Sequence, residues 1–306
     1  MKYGAIDIGT NSIRLLIAQI ENGEIVKSFK TLQITRIGEN VDHTGMISTA
    51  AMDRTIKALK QFMMIIEEEG LSSVPIIATS AVRDAKNKAD FLEQVKIEVN
   101  ANIQIISGER EAELGFLGVQ KGFKQSFGDV IVVDIGGGST ELIIGSQTGI
   151  HHLISLNMGA VRMTEKYLYS VPVSIGEIDT LISALDSMLK PTVHKIKQYK
   201  IDRMIGIGGT ATTLAAVAQN MAVYDPSKIH NFYLEHEKVM EILKLFIGKS
   251  LEERKQIPGL QPKRADVITA GTVILNIIMT LLEVQGLWIS EYDNLEGLVF
   301  EQVNNK

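Results

Sequence analysis

The sequence predicts an α/β protein of two similarly built domains with a central cleft between them, on three observations. A strand-turn-strand unit is written twice, as Asp7-Ile8-Gly9-Thr10-Asn11-Ser12-Ile13-Arg14 and as Asp134-Ile135-Gly136-Gly137-Gly138-Ser139-Thr140-Glu141, with Asp, Ile, Gly and Ser at the same offsets. Short apolar runs alternate with longer amphipathic ones in each half, which implies sheets covered on their faces by helices. The 306 residues, 45% of them hydrophobic, suffice for two cores of ordinary size.

Strands over 3–6, 13–20 and 25–32 form a meander, the last two joined at Asn22-Gly23. A helix then opens at Ser48 as N-cap and stops at Gly70. It carries Met52, Ile56, Leu59, Met63 and Ile66 at helical spacing, a stripe that reads as core. A strand over 76–78, a helix over 90–99, a strand over 103–106 and a helix over 109–121 complete the first series. The segment 121–128, with Gly122, Ser126 and Gly128, reads as a hinge. The second series has strands over 130–133, 141–145 and 150–156, then helices around 160–169 and 175–199. A strand over 203–207 runs into a helix through Gly208-Gly209-Thr210, and mostly helical sequence follows, with a buried helix over 273–284.

Composition narrows the classes of function. The absence of cysteine excludes disulfides, thiolate metal sites and a cysteine nucleophile, and fits a reducing cytosol. No apolar block with a small-residue cleavage site opens the chain, and the most apolar stretch, interrupted by Asn276, Thr280 and Glu283, is too short to span a bilayer. A formal charge of -5 argues against nucleic-acid binding, so an anionic ligand has to be met by local cations and backbone dipoles. None of the six His residues sits at metal-ligand spacing. The densest basic run, Lys190, His194, Lys195, Lys197, Lys200 and Arg203, reads either as a solvated helix face or as a track for a long polyanion.

The duplicated turns carry the chemistry. Small side chains at Gly9-Thr10-Asn11-Ser12 and Gly136-Gly137-Gly138-Ser139 leave backbone N–H groups to meet phosphate oxygens, while an Asp at the strand end can hold a hydrated divalent cation. Arg83, just past a strand end, has the planar fork that matches phosphate. It could equally pair with Asp84, and Arg162 could pair with Glu165.

Seven motifs in order then carry a resemblance over nearly the whole chain: Asp7 to Ser12, Ala78-Thr79-Ser80-Ala81-Val82-Arg83-Asp84-Ala85, Ser107-Gly108-Glu109-Arg110-Glu111-Ala112, Asp134 to Glu141, Gly159 to Glu165, Gly206-Ile207-Gly208-Gly209-Thr210 and Arg264-Ala265-Asp266-Val267-Ile268. The chain resembles the Ppx/GppA family of exopolyphosphatases and guanosine pentaphosphate phosphohydrolases, within the actin, Hsp70 and sugar-kinase fold superfamily. The resemblance implies two actin-like (ribonuclease H-like) domains, 1–123 joined by a C-terminal helix over 294–306, and 124–293, in a short form without the helical extension of longer relatives. It implies a cytoplasmic homodimer that hydrolyses terminal phosphoanhydride bonds of inorganic polyphosphate or of pppGpp, with polyphosphate or guanosine penta- or tetraphosphate as its ligand.

By the same resemblance Glu111 is the catalytic base. Its neighbours Glu109 and Glu113 offer a rival reading, in which all three carboxylates simply favour the helix N-terminus. Asp134 and Glu141 are implied to associate with Mg2+ or another divalent cation, with Asp7 a third. Gly9, Thr10, Asn11, Ser12, Arg83, Gly136, Gly137, Gly138 and Ser139 are implied to grip phosphate. Gly208, Gly209 and Thr210 take the distal phosphate or a nucleoside. Two alternatives stand beside hydrolysis: a phosphotransferase of the sugar or acetate kinase type, and a nucleotide sensor without turnover. Two departures from the family pattern are visible. Glu113 stands where many relatives carry Arg, and Asp293-Asn294-Leu295 stands in place of Gly-Leu-Arg.

Overall fold

A computed structural model describes residues 1–123 and 127–304; within the segment read as a hinge, 124–126, Ser126 included, lie outside the described residues. The chain divides into two compact units, Met1–Lys121 with Tyr292–Lys306, and Gly122–Glu291.

The first unit opens with β1 (Lys2–Ile8), β2 (Ser12–Glu21) and β3 (Glu24–Ile34), an antiparallel meander. Then come α1 (Val41–Thr44), α2 (Thr49–Glu68), β4 (Ile76–Ala78), α3 (Ser80–Asp84), α4 (Lys88–Val99), β5 (Gln104–Ile105) and α5 (Gly108–Gly122). Strands β4 and β5 run parallel to β1, giving the order β3-β2-β1-β4-β5. Ser48 caps α2 by accepting from Ala51 N, and Gly70, at φ +76, turns the chain where a side chain would be strained. The stripe of α2 packs into a core with Ile6, Ile8 and Ile13, Met63 at its margin. The opposite sheet face carries a second core, Tyr3, Ala5, Leu16 and Ile77 against Leu114 and the last helix.

The second unit repeats the plan with β6 (Val130–Ile135), β7 (Thr140–Ser146), β8 (Gly149–Leu156), α6 (Ala160–Tyr167), α7 (Ile175–Ile196), β9 (Arg203–Ile207) and α8 (Gly208–Ala218). It continues through α9 (Pro226–Ile229), β10 (Tyr233–Glu235), α10 (His236–Ile247), α11 (Leu251–Arg254), α12 (Ile268–Leu282) and β11 (Gly286–Ile289); α13 (Asn294–Asn304) then belongs to the first unit. The sheet order is β10-β11-β9-β6-β7-β8. Central strands β6 and β9 are near-continuous apolar runs buried on both faces, as a parallel pair requires. Two strands, β10 and β11, lie in the region read from sequence as mostly helical. At three and four residues they are too short to show an alternating pattern, and pairing defines them, β11 with β9 and β10 with β11.

His230 yields a pH prediction for this unit. Its Nδ1 accepts from Glu291 N at 3.3 Å, so Nε2 carries the proton and donates to Gly122 O at 3.1 Å. Burial lowers its pKa, and the Gly122 carbonyl only partly opposes this. The folded state therefore disfavours the imidazolium. Stability is intact above the ordinary value of about 6.5 and falls as pH drops below it. Urea unfolding followed from pH 7.5 to 5.5 is expected to show a steeper loss in the wild type than in His230→Gln; equal slopes would refute the assignment.

Candidate active site

The two turns are built alike. Asp7 pairs with Arg14 and Ile8 with Ile13 in one hairpin, Asp134 with Glu141 and Ile135 with Thr140 in the other. Each turn closes on the same bond, Gly9 N to Ser12 O and Gly136 N to Ser139 O, both at 3.0 Å.

The carbonyls of both turns are tied inward. Gly136 O accepts from Ala160 N at 2.8 Å, and Gly137 O from Val161 N and Arg162 N at 2.8 and 3.1 Å. Gly138 O accepts from Arg162 Nε at 2.8 Å. The start of α6 is pressed so closely on the turn that a Cβ at Gly159 would come within 2.4 Å of Gly137. In the first unit Thr10 O accepts from Gly38 N at 2.9 Å and Asn11 O from Arg36 N at 3.0 Å, while Thr10 Oγ1 bonds Ser80 Oγ at 2.9 Å. The N–H groups of Thr10, Asn11, Gly137, Gly138 and Ser139 donate to no protein acceptor among the described residues. Amides left bare in this way are an anion cradle.

The carboxylates beside the turns differ in their partners. Asp134 and Glu141 face each other in register, so both project from one sheet face, and both are buried. The next strand adds Ser155, whose Oγ donates to Glu141 Oε1 at 2.7 Å. In the first unit the place of Glu141 is taken by Arg14. Its Nε donates to Asp7 Oδ2 at 3.1 Å, its Nη2 bonds the same oxygen, and its Nη1 bonds Asp293 Oδ2. Asp7 therefore has a guanidinium partner where Asp134 has a second carboxylate. Burial raises the Asp7 pKa against the pull of Arg14.

Gly208 packs directly against Asp134. It sits at φ +73 where β9 enters α8, and a Cβ there would lie 2.3 Å from Asp134 Oδ1. Gly209 is covered by Arg264, whose Nη1 would be 2.0 Å from a Cβ. Thr210 Oγ1 donates to Ile135 O at 3.0 Å, tying this turn to the end of β6. Arg264 stands in a sequence motif that by itself indicates no role for it; its contact with Gly209 is long-range, and only the fold brings it there.

Glu111, Arg83 and the Asp7 turn share the carboxyl ends of β5, β4 and β1 in the first unit. The three acidic residues at the start of α5 separate by exposure: Glu109 and Glu113 are exposed, Glu111 is buried. Glu113 pairs with Arg110 at 3.0 Å. Arg83 Nη1 donates to Ile106 O at 3.0 Å and lies 3.6 Å from Glu111 Oε2, with Asp84 at 3.8 Å from Nε.

The departure at Asp293-Asn294-Leu295 has a structural account. Asp293 Oδ1 accepts from Leu295 N and Glu296 Oε2 from Asp293 N, both at 3.0 Å, so the two acids cap the start of α13. Leu295, at the position of the usual Arg, is fully buried in the apolar core of the first unit.

For a divalent cation the fit is with Asp134 and Glu141. Among the described residues no three of His, Cys, Asp and Glu come together as a closed metal site. Magnesium keeps several waters and commonly binds through one or two carboxylates plus substrate phosphates, which suits an opposed buried pair.

Residues 16–306 match the model of the Ppx/GppA phosphatase family. A bifunctional 3-dehydroquinate synthase/phosphatase of Fusobacterium nucleatum is 40% identical over 99% of this chain, which spans 46% of that protein. Exopolyphosphatase 2 of Mycobacterium tuberculosis is 32% identical, with 97% of each chain matched. The crystal structure of the Aquifex aeolicus family member superposes with a TM-score of 0.83 at 34% identity, covering 100% of this chain and 98% of that one.

Proposed function

The chain belongs to the Ppx/GppA phosphatase family, with its two-domain actin-like fold, and from that premise we propose that it hydrolyses the terminal phosphoanhydride bond of inorganic polyphosphate, with pppGpp as a related substrate. The observation that carries this reading is the pair of matched turns whose carbonyls are bound inward and whose amides are bare. Those amides and Arg83 hold phosphoryl oxygens. Glu111 accepts a proton from water as the water oxygen attacks the terminal phosphorus. The bond to the bridging oxygen breaks, and the shortened chain leaves with its negative charge. Asp134 and Glu141 would hold Mg2+, which when bound neutralises phosphate charge. Under this reading the protein works in the cytoplasm, where a chain without cysteine needs no oxidising environment.

The test is orthophosphate release from long-chain polyphosphate, pppGpp and ATP, with magnesium and no acceptor. Release from polyphosphate or pppGpp is expected. Release that requires an added sugar or acetate would point to phosphotransfer, and tight binding of all three without release would point to a sensor.

A further inference from the structure

The second unit has another concavity, at the opposite end of its sheet from the Asp134 turn. A cavity of about 400 Å³ opens near the amino ends of β6, β9 and β11, lined there by Ile131, Arg203 and Gly286. The five residues of β9 place it roughly 15 Å from Gly208. Its volume lies within the range of about 300–1,000 Å³ usual for small-molecule sites.

The walls are aromatic. Tyr199, Tyr233 and Trp288 line the cavity, and the last two pack with ring centroids 5.1 Å apart. Tyr233 lies over the backbone of Gly286, where a Cβ would meet the ring at 2.5 Å, so glycine at 286 is what admits it. Tyr199 stacks on His152, 5.9 Å between centroids and 15° between planes.

Arg203 supplies an uncommitted charge. It is half-buried, and its guanidinium makes no hydrogen bond or ion pair among the described residues. Of the nearby carboxylates, Asp202 has its Oδ2 against Gly128, 2.0 Å from where a Cβ would be, and Glu283 is held by Lys197 at 2.6 Å. A guanidinium partly withdrawn from water and lacking a counter-ion favours a phosphate, whose oxygens match its fork. Aromatic walls favour a flat ring beside it.

We propose that this cavity binds a nucleoside monophosphate, its base against Tyr199 and the Tyr233–Trp288 pair and its phosphate on Arg203. The site is separate from the turns and does not depend on the hydrolase reading. Part of the basic run in the sequence thereby acquires a role as a pocket wall.

Trp288 is the single tryptophan, so its emission reports the site directly. Titration of the full chain with AMP and GMP is expected to give saturable quenching. Arg203→Met is expected to weaken the apparent Kd about tenfold or more, through loss of a charge-assisted contact, and Tyr199→Leu to weaken it as well. Glu111→Gln, in the other unit, is expected to leave the quenching unchanged. Near-UV circular dichroism checks that each variant is folded, and equilibrium dialysis of the wild type gives a measure independent of variants. No saturable signal and no dialysis binding at millimolar nucleotide, or quenching that both cavity variants retain in full, would overturn the proposal.

Discussion

Glu111→Gln is expected to lower kcat for phosphate release by about 10²- to 10⁴-fold while substrate binding persists. The amide keeps the size and hydrogen-bonding reach of the carboxylate but cannot accept a proton at neutral pH. What distinguishes Glu111 from its neighbours is burial: it is 8% exposed, whereas Glu109 and Glu113 face solvent. Arg83, 3.6 Å away, keeps a positive charge beside it. If Glu111 served only to pair with Arg83, its replacement would disturb phosphate binding and raise KM more than it lowered kcat. A base instead lowers kcat and removes the acidic limb of the pH–rate profile. Single-turnover release across pH 5 to 9 separates these cases, with Glu109→Gln and Glu113→Gln as controls expected to stay within about threefold of wild type. Turnover by Glu111→Gln at near wild-type rate would move the base elsewhere.

The local parts of this arrangement were legible in the sequence because they are set by local chemistry. The matched offsets of the two hairpins translate into the same Gly-to-Ser closing bond in both turns. Ser48 and Gly70 delimit α2 through capping and a left-handed turn, both short-range effects. Strands β10 and β11 were not legible. Residues such as Gly286-Leu287-Trp288-Ile289 carry no alternation long enough to read, and their conformation is decided by a neighbouring strand distant in sequence.

The candidate site divides along the same line. Asp7 and Asp134 read as equivalents when only the turns are compared. The residue seven positions on reverses their surroundings: Arg14 opposes the first and Glu141 the second. That difference was present in the aligned repeats. Asp293 was not readable as the second anchor of Arg14, because it lies at the far end of the chain and reaches β2 only after α13 has packed on the first sheet. The same reason hid Arg264 beside Gly209.

Arg14→Leu is expected to destabilise the first unit by about 3–5 kcal/mol, the usual cost of removing one partner from a buried charge cluster. Asp7 and Asp293 are about 4% and 5% exposed in their side chains, so neither can turn to water when the guanidinium goes. Lys30 compensates only in part, at 3.1 Å from Glu296 but 3.9 Å from Asp293. The dependence on pH identifies the cause. Burial disfavours the Asp293 carboxylate, yet Arg14, Lys30 and the Leu295 amide outweigh it and hold the pKa at about 2. A depressed carboxylate stabilises the fold above the ordinary value of about 3.8, and that contribution is lost as pH falls toward 2. Asp7 and Glu296 are raised by burial and contribute with the opposite sign. Without Arg14, Asp293 joins them, because desolvation then acts on it with less opposition. The variant therefore takes up protons in its folded state as pH is lowered, and its deficit against wild type is expected to shrink between pH 8 and pH 5. A loss caused by packing alone would be the same at both. Urea unfolding of the two proteins at these pH values decides between them, and a deficit that stays constant would show that the charge cluster is not what Arg14 holds together.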